Sequence, residues 1–110
     1  MKLIKMRMFK RKKPSLQKIR MAQYKRVQVE AVELFNKKNT DYGDAFADYG
    51  VVGVLVRMGD KVRRFTSVSN RGVSLVNDEA LRDTLVDLHN YSAMAIMLMD
   101  EEKNKAEKNV

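Results

Sequence analysis

The residues best equipped for chemistry are carboxylates at helical spacing. Glu79, Asp83, Asp87 and Asn90 fall at i, i+4, i+8 and i+11, which puts three carboxylates and an amide on one helix stripe. Like charges one turn apart repel by a few tenths of a kcal/mol, about 0.3 per exposed pair. Such a stripe serves basic partners, a divalent cation or solvent. Glu30 and Glu33, spaced i, i+3, reach jointly for one cation or form a solvated acidic face. The chain has no cysteine and a single histidine, His89. A thiolate zinc site and a Ser-His-Asp triad are therefore not expected. A bound metal would be a hard cation on carboxylates, with Mg2+ or Mn2+ the best match.

These groups need elements to hold them. Asn77 or Asp78 makes a good N-cap, and from there to Met99 an apolar stripe of Leu81, Leu85, Leu88, Ser92, Ala95 and Leu98 or Met99 runs opposite the carboxylates. Ser15 is an N-cap for a long amphipathic helix over residues 16–38, with Leu16, Ile19, Gln23, Val27, Ala31, Leu34 and Phe35 on one broad side. Residues 37–50 carry Asp-Tyr-Gly twice, at 41–43 and 48–50. They read as a loop with one helical turn around 44–48. Such a loop supplies carboxylates and stacking rings, or simply turns a corner.

Residues 51–68 admit two readings. β-branched runs about Gly59-Asp60 suggest a hairpin. Val52, Leu55, Val62 and Phe65 also fit a helical period, with Arg57, Asp60, Lys61 and Arg64 on a polar face. Gly53 and Gly59 would each cost that helix about 1 kcal/mol relative to Ala, a cost that makes sense where something packs close.

Composition bounds the rest. The 110 residues suit one domain, and 45% hydrophobic content is globular. A core of that size is modest, so an oligomer would help it. Of 22 Lys and Arg, eleven lie in residues 1–29 with no acid among them; the remaining eleven face fourteen acids. The net charge of +8 therefore belongs to the N-terminal part. The organisation expected is a basic arm over 1–14, a helical domain over 15–100 and a charged tail over 101–110. The arm suits nucleic acid or another polyanion, or is a solvated or subunit-docked tail. The longest apolar run, 94–99, is too short to span a bilayer, and a cytoplasmic protein without a membrane is expected. His89 is expected to be exposed, Tyr91 to be core, and the eight methionines to be core filler, with Met94, Met97 and Met99 also suited to a subunit interface.

Four local patterns occur in order: Lys37-Lys38-Asn39-x-Asp41-Tyr42-Gly43, Arg57-x-x-Asp60-Lys61-x-x-Arg64, Asp78-Glu79-x-x-x-Asp83-Thr84-x-x-Asp87, and Asn90-Tyr91. Over roughly residues 30–100 the chain resembles the phage and bacterial family called nucleotide modification associated domain one. That family looks related to the all-α nucleoside triphosphate pyrophosphatases of the MazG and dimeric dUTPase group. The resemblance implies an all-α bundle of about four helices, dimeric or tetrameric, with 51–68 helical. It implies a Mg2+-dependent nucleotide pyrophosphohydrolase acting on a (d)NTP or a modified nucleotide, in host cytoplasm if phage-encoded. By that resemblance, Glu79 and Asp83 match the second acidic motif and are the catalytic candidates, and Glu30 and Glu33 match the first. The four together are the metal ligands.

Here the second motif is spaced E-x-x-x-D where the family's is usually E-x-x-D. On this reading Arg57, Lys61 and Arg64 meet phosphates, and Tyr42, Phe46 or Tyr49 stacks on the base. Asp41, Asp60, Asp87 and Asn90 complete the nucleotide contacts. Asp60 is alternatively an ion-pair partner between Arg57 and Arg64, and Asp87 and Asn90 alternatively hold structure. A non-catalytic nucleotide-binding protein and a nucleic-acid accessory protein are the competing functions.

Overall fold

A computed structural model describes residues 13–70 and 79–109. The expectations for residues 1–12 of the basic arm and for the Asn77 or Asp78 cap fall outside them. The described residues form three long α-helices and one short 3₁₀ turn: α1 (Leu16–Tyr42), the turn (Ala45–Ala47), α2 (Gly50–Asn70) and α3 (Glu79–Lys108). The all-α expectation holds, but with three long helices among these residues and not about four.

Local signals explain the boundaries. Ser15 is extended at φ −62° and ψ 156°, and its hydroxyl oxygen accepts from the Lys18 N–H at 3.2 Å, the N-cap arrangement. α1 runs one turn further than its apolar pattern and stops where Gly43 takes φ 59° and donates to the Asn39 carbonyl at 2.9 Å. That left-handed C-cap favours glycine. Asp44 is also left-handed at φ 68°, and its carboxylate accepts from the Asn39 side-chain amide at 3.2 Å. The two Asp-Tyr-Gly triplets thus bracket a corner, with the 3₁₀ turn inside it.

The 51–68 segment is helix. Its β-branched residues favour strands only weakly, and packing on α3 overrides that preference. Val54 is fully buried with Ala95 and Leu98, and Phe46, Val51, Met58, Tyr91 and Met94 pack around them. Gly53 has its reason here: a Cβ on it would sit 2.6 Å from the Tyr49 Cβ. Gly59 has none among the described residues, where a Cβ meets only the Arg63 guanidinium, at 3.8 Å.

The inward face of α2 is not the one its period suggests. Val51, Val54, Met58, Lys61 and Phe65 turn inward, while Val52, Leu55 and Val62 are exposed. α3 differs similarly. Leu81, Ala95 and Leu98 are buried as expected, but Leu85, Ser92 and Met99 are exposed, and Thr84, Val86 and Asn90 are buried. Thr84 satisfies its hydroxyl on the Ala80 carbonyl at 2.9 Å. On α1 only Ala31 is buried; Leu16, Ile19 and Val27 are exposed.

Among the described residues the buried apolar set is therefore small, six residues. The radius of gyration is 20.8 Å, against about 13 Å for a compact chain of this length. No helix among the described residues is long and apolar enough to cross a membrane.

Candidate functional site

The end of α1, the 3₁₀ turn, α2 and the middle of α3 enclose a cavity of about 450 Å³. Two kinds of wall meet in it. Phe35, Tyr42, Phe46, Tyr91 and Met94 make an aromatic and apolar side, and Lys38, Asn39, Arg57, Asp87 and Asn90 a polar one. Phe35 and Phe46 pack edge to face, centroids 5.9 Å apart at 70°, a favoured aromatic geometry. The pair braces α1 against the 3₁₀ turn.

The polar wall is centred on Asp87. Its carboxylate accepts from Lys38 Nζ at 2.9 Å and pairs with Lys61 Nζ at 3.2 Å. All three main helices meet at this carboxylate. One negative charge against two ammonium groups leaves a net positive centre, and Arg57 adds a further cation to the cavity. In the same wall, the buried Asn90 donates its side-chain amide to the Ala31 carbonyl at 3.0 Å. An unpaired amide there would be costly, about 1–3 kcal/mol.

The carboxylate stripe on α3 runs from solvent into the core. Glu79 and Asp83 are exposed, Asp87 is half-buried and Asn90 is buried. Glu30 is engaged by Arg82, whose guanidinium grips both carboxylate oxygens, one of them at 2.6 Å. This hydrogen bonding holds the Glu30 carboxyl below its usual value and the Arg82 guanidinium above its own. Glu33 is exposed on the same helix. Among the described residues no three acidic or histidine side chains come together as a metal site. The four carboxylates Glu30, Glu33, Glu79 and Asp83 therefore do not by themselves fit a metal ion within one chain. The bidentate grip of Arg82 on Glu30 is the physical reason on the α1 side.

Of the expected nucleotide contacts, Tyr42, Arg57, Asp87 and Asn90 line the cavity, and Lys61 reaches it through Asp87. Asp41, Asp60 and Arg64 are exposed and do not line it. Asp60 pairs with Arg63, not with Arg57 or Arg64. Phe46 lines the cavity whereas Tyr49 points to solvent. His89 is half-buried, not exposed, and its Nδ1 is buried without a hydrogen-bond partner.

The family described as nucleotide modification associated domain 1 matches residues 38–99, more than half of the chain. The chain belongs to that family. No curated protein and no solved structure matches it. Every residue of the cavity wall except Phe35 falls inside the stretch matched to nucleotide modification associated domain 1.

Sequence reasoning missed Phe35, Lys38, Asn39, Ala45, Tyr91 and Met94 as site residues. Lys38 and Asn39 sit in the Lys37-to-Gly43 motif, so their signal was present. Phe35 and Met94 were hidden among core positions. The Arg82 grip on Glu30 spans 52 residues and leaves no local trace.

Proposed function

We propose that this member of the family binds a nucleotide in the cavity between α1, the 3₁₀ turn, α2 and α3. The observation that carries the reading is the mixed lining of that cavity. A nucleotide is a flat apolar base joined to an anionic phosphate chain, and the cavity is lined by the aromatic Phe35, Tyr42, Phe46 and Tyr91 and by the cationic Lys38 and Arg57. Its volume of about 450 Å³ is in the range of small-molecule sites. Phosphate oxygens bound by Arg57 and Lys38 would gain charge-assisted hydrogen bonds. The base would lie on Tyr42 or Phe46, where stacking contributes about 1–3 kcal/mol.

A stronger form of the proposal makes the protein a Mg2+-dependent pyrophosphohydrolase of MazG-like descent, working as a homo-oligomer. The family description supports only its nucleotide part; the carboxylates Glu79 and Asp83, one turn apart and exposed at the start of α3, are what this form would use. Among the described residues the donors do not by themselves complete a metal site.

The test is a panel of canonical and modified nucleotides, incubated with protein and magnesium or manganese, and scored for both binding and pyrophosphate release. Release abolished in Glu79→Gln establishes hydrolysis. Binding without release establishes a nucleotide-binding protein that does not turn over. No binding to any nucleotide sinks both forms and leaves the basic N-terminal residues, with a polyanionic partner, as the function to pursue.

A further inference from the structure

The first half of α1 is exposed on every side. From Lys13 to Val29 each residue is exposed. Among the described residues, the first long-range hydrogen bonds of α1 are those of Glu30 with Arg82 and of the Ala31 carbonyl with Asn90. Residues 16–29 therefore form a free rod of about 21 Å, at 1.5 Å per residue. The rod carries Lys18, Arg20, Lys25 and Arg26 and no acid. None of these four forms an ion pair among the described residues. Arg20 donates to the neutral Gln23 side chain at 2.9 Å, which leaves its charge uncompensated.

The cations are placed on both sides of one stripe. Gln17, Met21, Tyr24 and Gln28 fall at i, i+4, i+7 and i+11, the spacing of one helix face. At 3.6 residues per turn Arg20 borders that stripe on one side, and Lys18 and Lys25 border it on the other. We infer that this rod seats in the major groove of double-stranded DNA, with the stripe turned to the base edges and the bordering cations on the phosphates of the two groove walls.

The fit is one of size, charge and side-chain type. The major groove is about 12 Å wide and admits one α-helix. A helix lying there meets phosphates on both sides, so it needs cations on both. The amides of Gln17 and Gln28 can donate to and accept from base edges, and an apolar side chain such as Met21 can meet the thymine methyl. An anionic membrane surface needs apolar and charged faces kept apart. Here Arg20 falls between Val27 and Tyr24, inside the apolar cluster they form with Leu16. Duplex RNA has a major groove too deep and narrow for the rod. The inference concerns α1 itself and not the basic residues 1–14. The nucleotide cavity uses α1 only from Phe35 onward, so failure of one leaves the other standing.

Fluorescence anisotropy of a labelled DNA duplex of roughly 20 base pairs, two helical turns, titrated with the full chain over a salt series, tests this. The duplex is expected to bind more tightly than either of its single strands, with log affinity falling linearly in log salt. Lys18→Gln and Lys25→Gln should each lower that slope by about 0.9. Both variants keep residues 1–14 unaltered, so an unchanged slope would assign DNA binding to those residues and overturn the inference. Met21→Glu and Ala22→Glu then form a charge-matched pair at exposed positions, the first inside the stripe and the second beyond the two lysines. Met21→Glu should weaken duplex binding about tenfold or more beyond Ala22→Glu, with the helical circular dichroism of both retained. Equal losses overturn the groove orientation. No duplex binding at low salt overturns the inference, as does equal affinity for single strands or tighter binding to phosphatidylserine vesicles.

Discussion

Asn90, buried on α3, donates its side-chain amide to the carbonyl of Ala31, buried on α1, across 3.0 Å. It is a buried polar link between α1 and α3, and Asn90 is itself part of the cavity wall. Asn90→Leu removes the donor and overfills the site. It is expected to lower unfolding free energy by about 1–3 kcal/mol, read as a fall in the urea midpoint at unchanged slope. A midpoint equal to wild type would show that the bond holds nothing.

Arg57 lines the cavity with no side-chain partner among the described residues, unlike Lys38 and Lys61. Arg57→Ala should weaken nucleotide binding about tenfold or more, the loss of one charge-assisted contact, while leaving thermal stability near wild type. Isothermal titration beside a melting curve separates the two. A loss of stability without a loss of affinity would make Arg57 structural.

Asp87 competes with any incoming phosphate for Lys38 and Lys61. Asp87→Asn frees both ammonium groups. Affinity for inorganic phosphate is expected to rise at low salt and to fall back as salt screens the exposed charges. Lower affinity in Asp87→Asn would instead show that the carboxylate is needed to position the lysines.

Glu30 and Arg82 give a pH signature. Arg82 lowers the Glu30 pKa from its ordinary 4.5. The pair therefore adds stability above that value and loses it as pH falls through the lowered folded pKa. Glu30→Gln should be less stable than wild type near neutrality, and the difference should vanish on acidification. Because the pair is exposed, added salt should shrink it too. A difference that grows on acidification contradicts the assignment.

Tyr42 offers the test for the base. Tyr42→Phe keeps the ring and Tyr42→Ala removes it. If the ring stacks, only the alanine variant loses affinity, by about 1–3 kcal/mol. Equal losses in both would point to the hydroxyl.

What the sequence made legible was local. Ser15 announced the start of α1, and the repeated Asp-Tyr-Gly announced the corner, because caps and turns depend on a few neighbouring residues. The helical state of 51–68 was not decided by periodicity, since its valines suit a strand equally well. Which side of α2 turns inward was not legible either. Val52, Leu55 and Val62 look like core on spacing, yet Val51, Val54 and Met58 take that place, because both sides are apolar. The cavity was half visible. Tyr42, Arg57, Asp87 and Asn90 stood in motifs, whereas Phe35 and Met94 looked like any other packing residue. Long-range pairs such as Lys38 with Asp87 exist only once three helices have met.

The exposed beginning of α1 has a kinetic consequence. Isolated helices of about a dozen residues are marginal in water, and the turns from Leu16 to Val29 have no buried residue to hold them. Lys18, Arg20, Lys25 and Arg26 stand in those turns, and each is a trypsin cleavage point. Transient opening there precedes any global unfolding. Trypsin should therefore clip this end first, leaving the three-helix junction intact. Whatever docks on α1 will announce itself by slowing that clip.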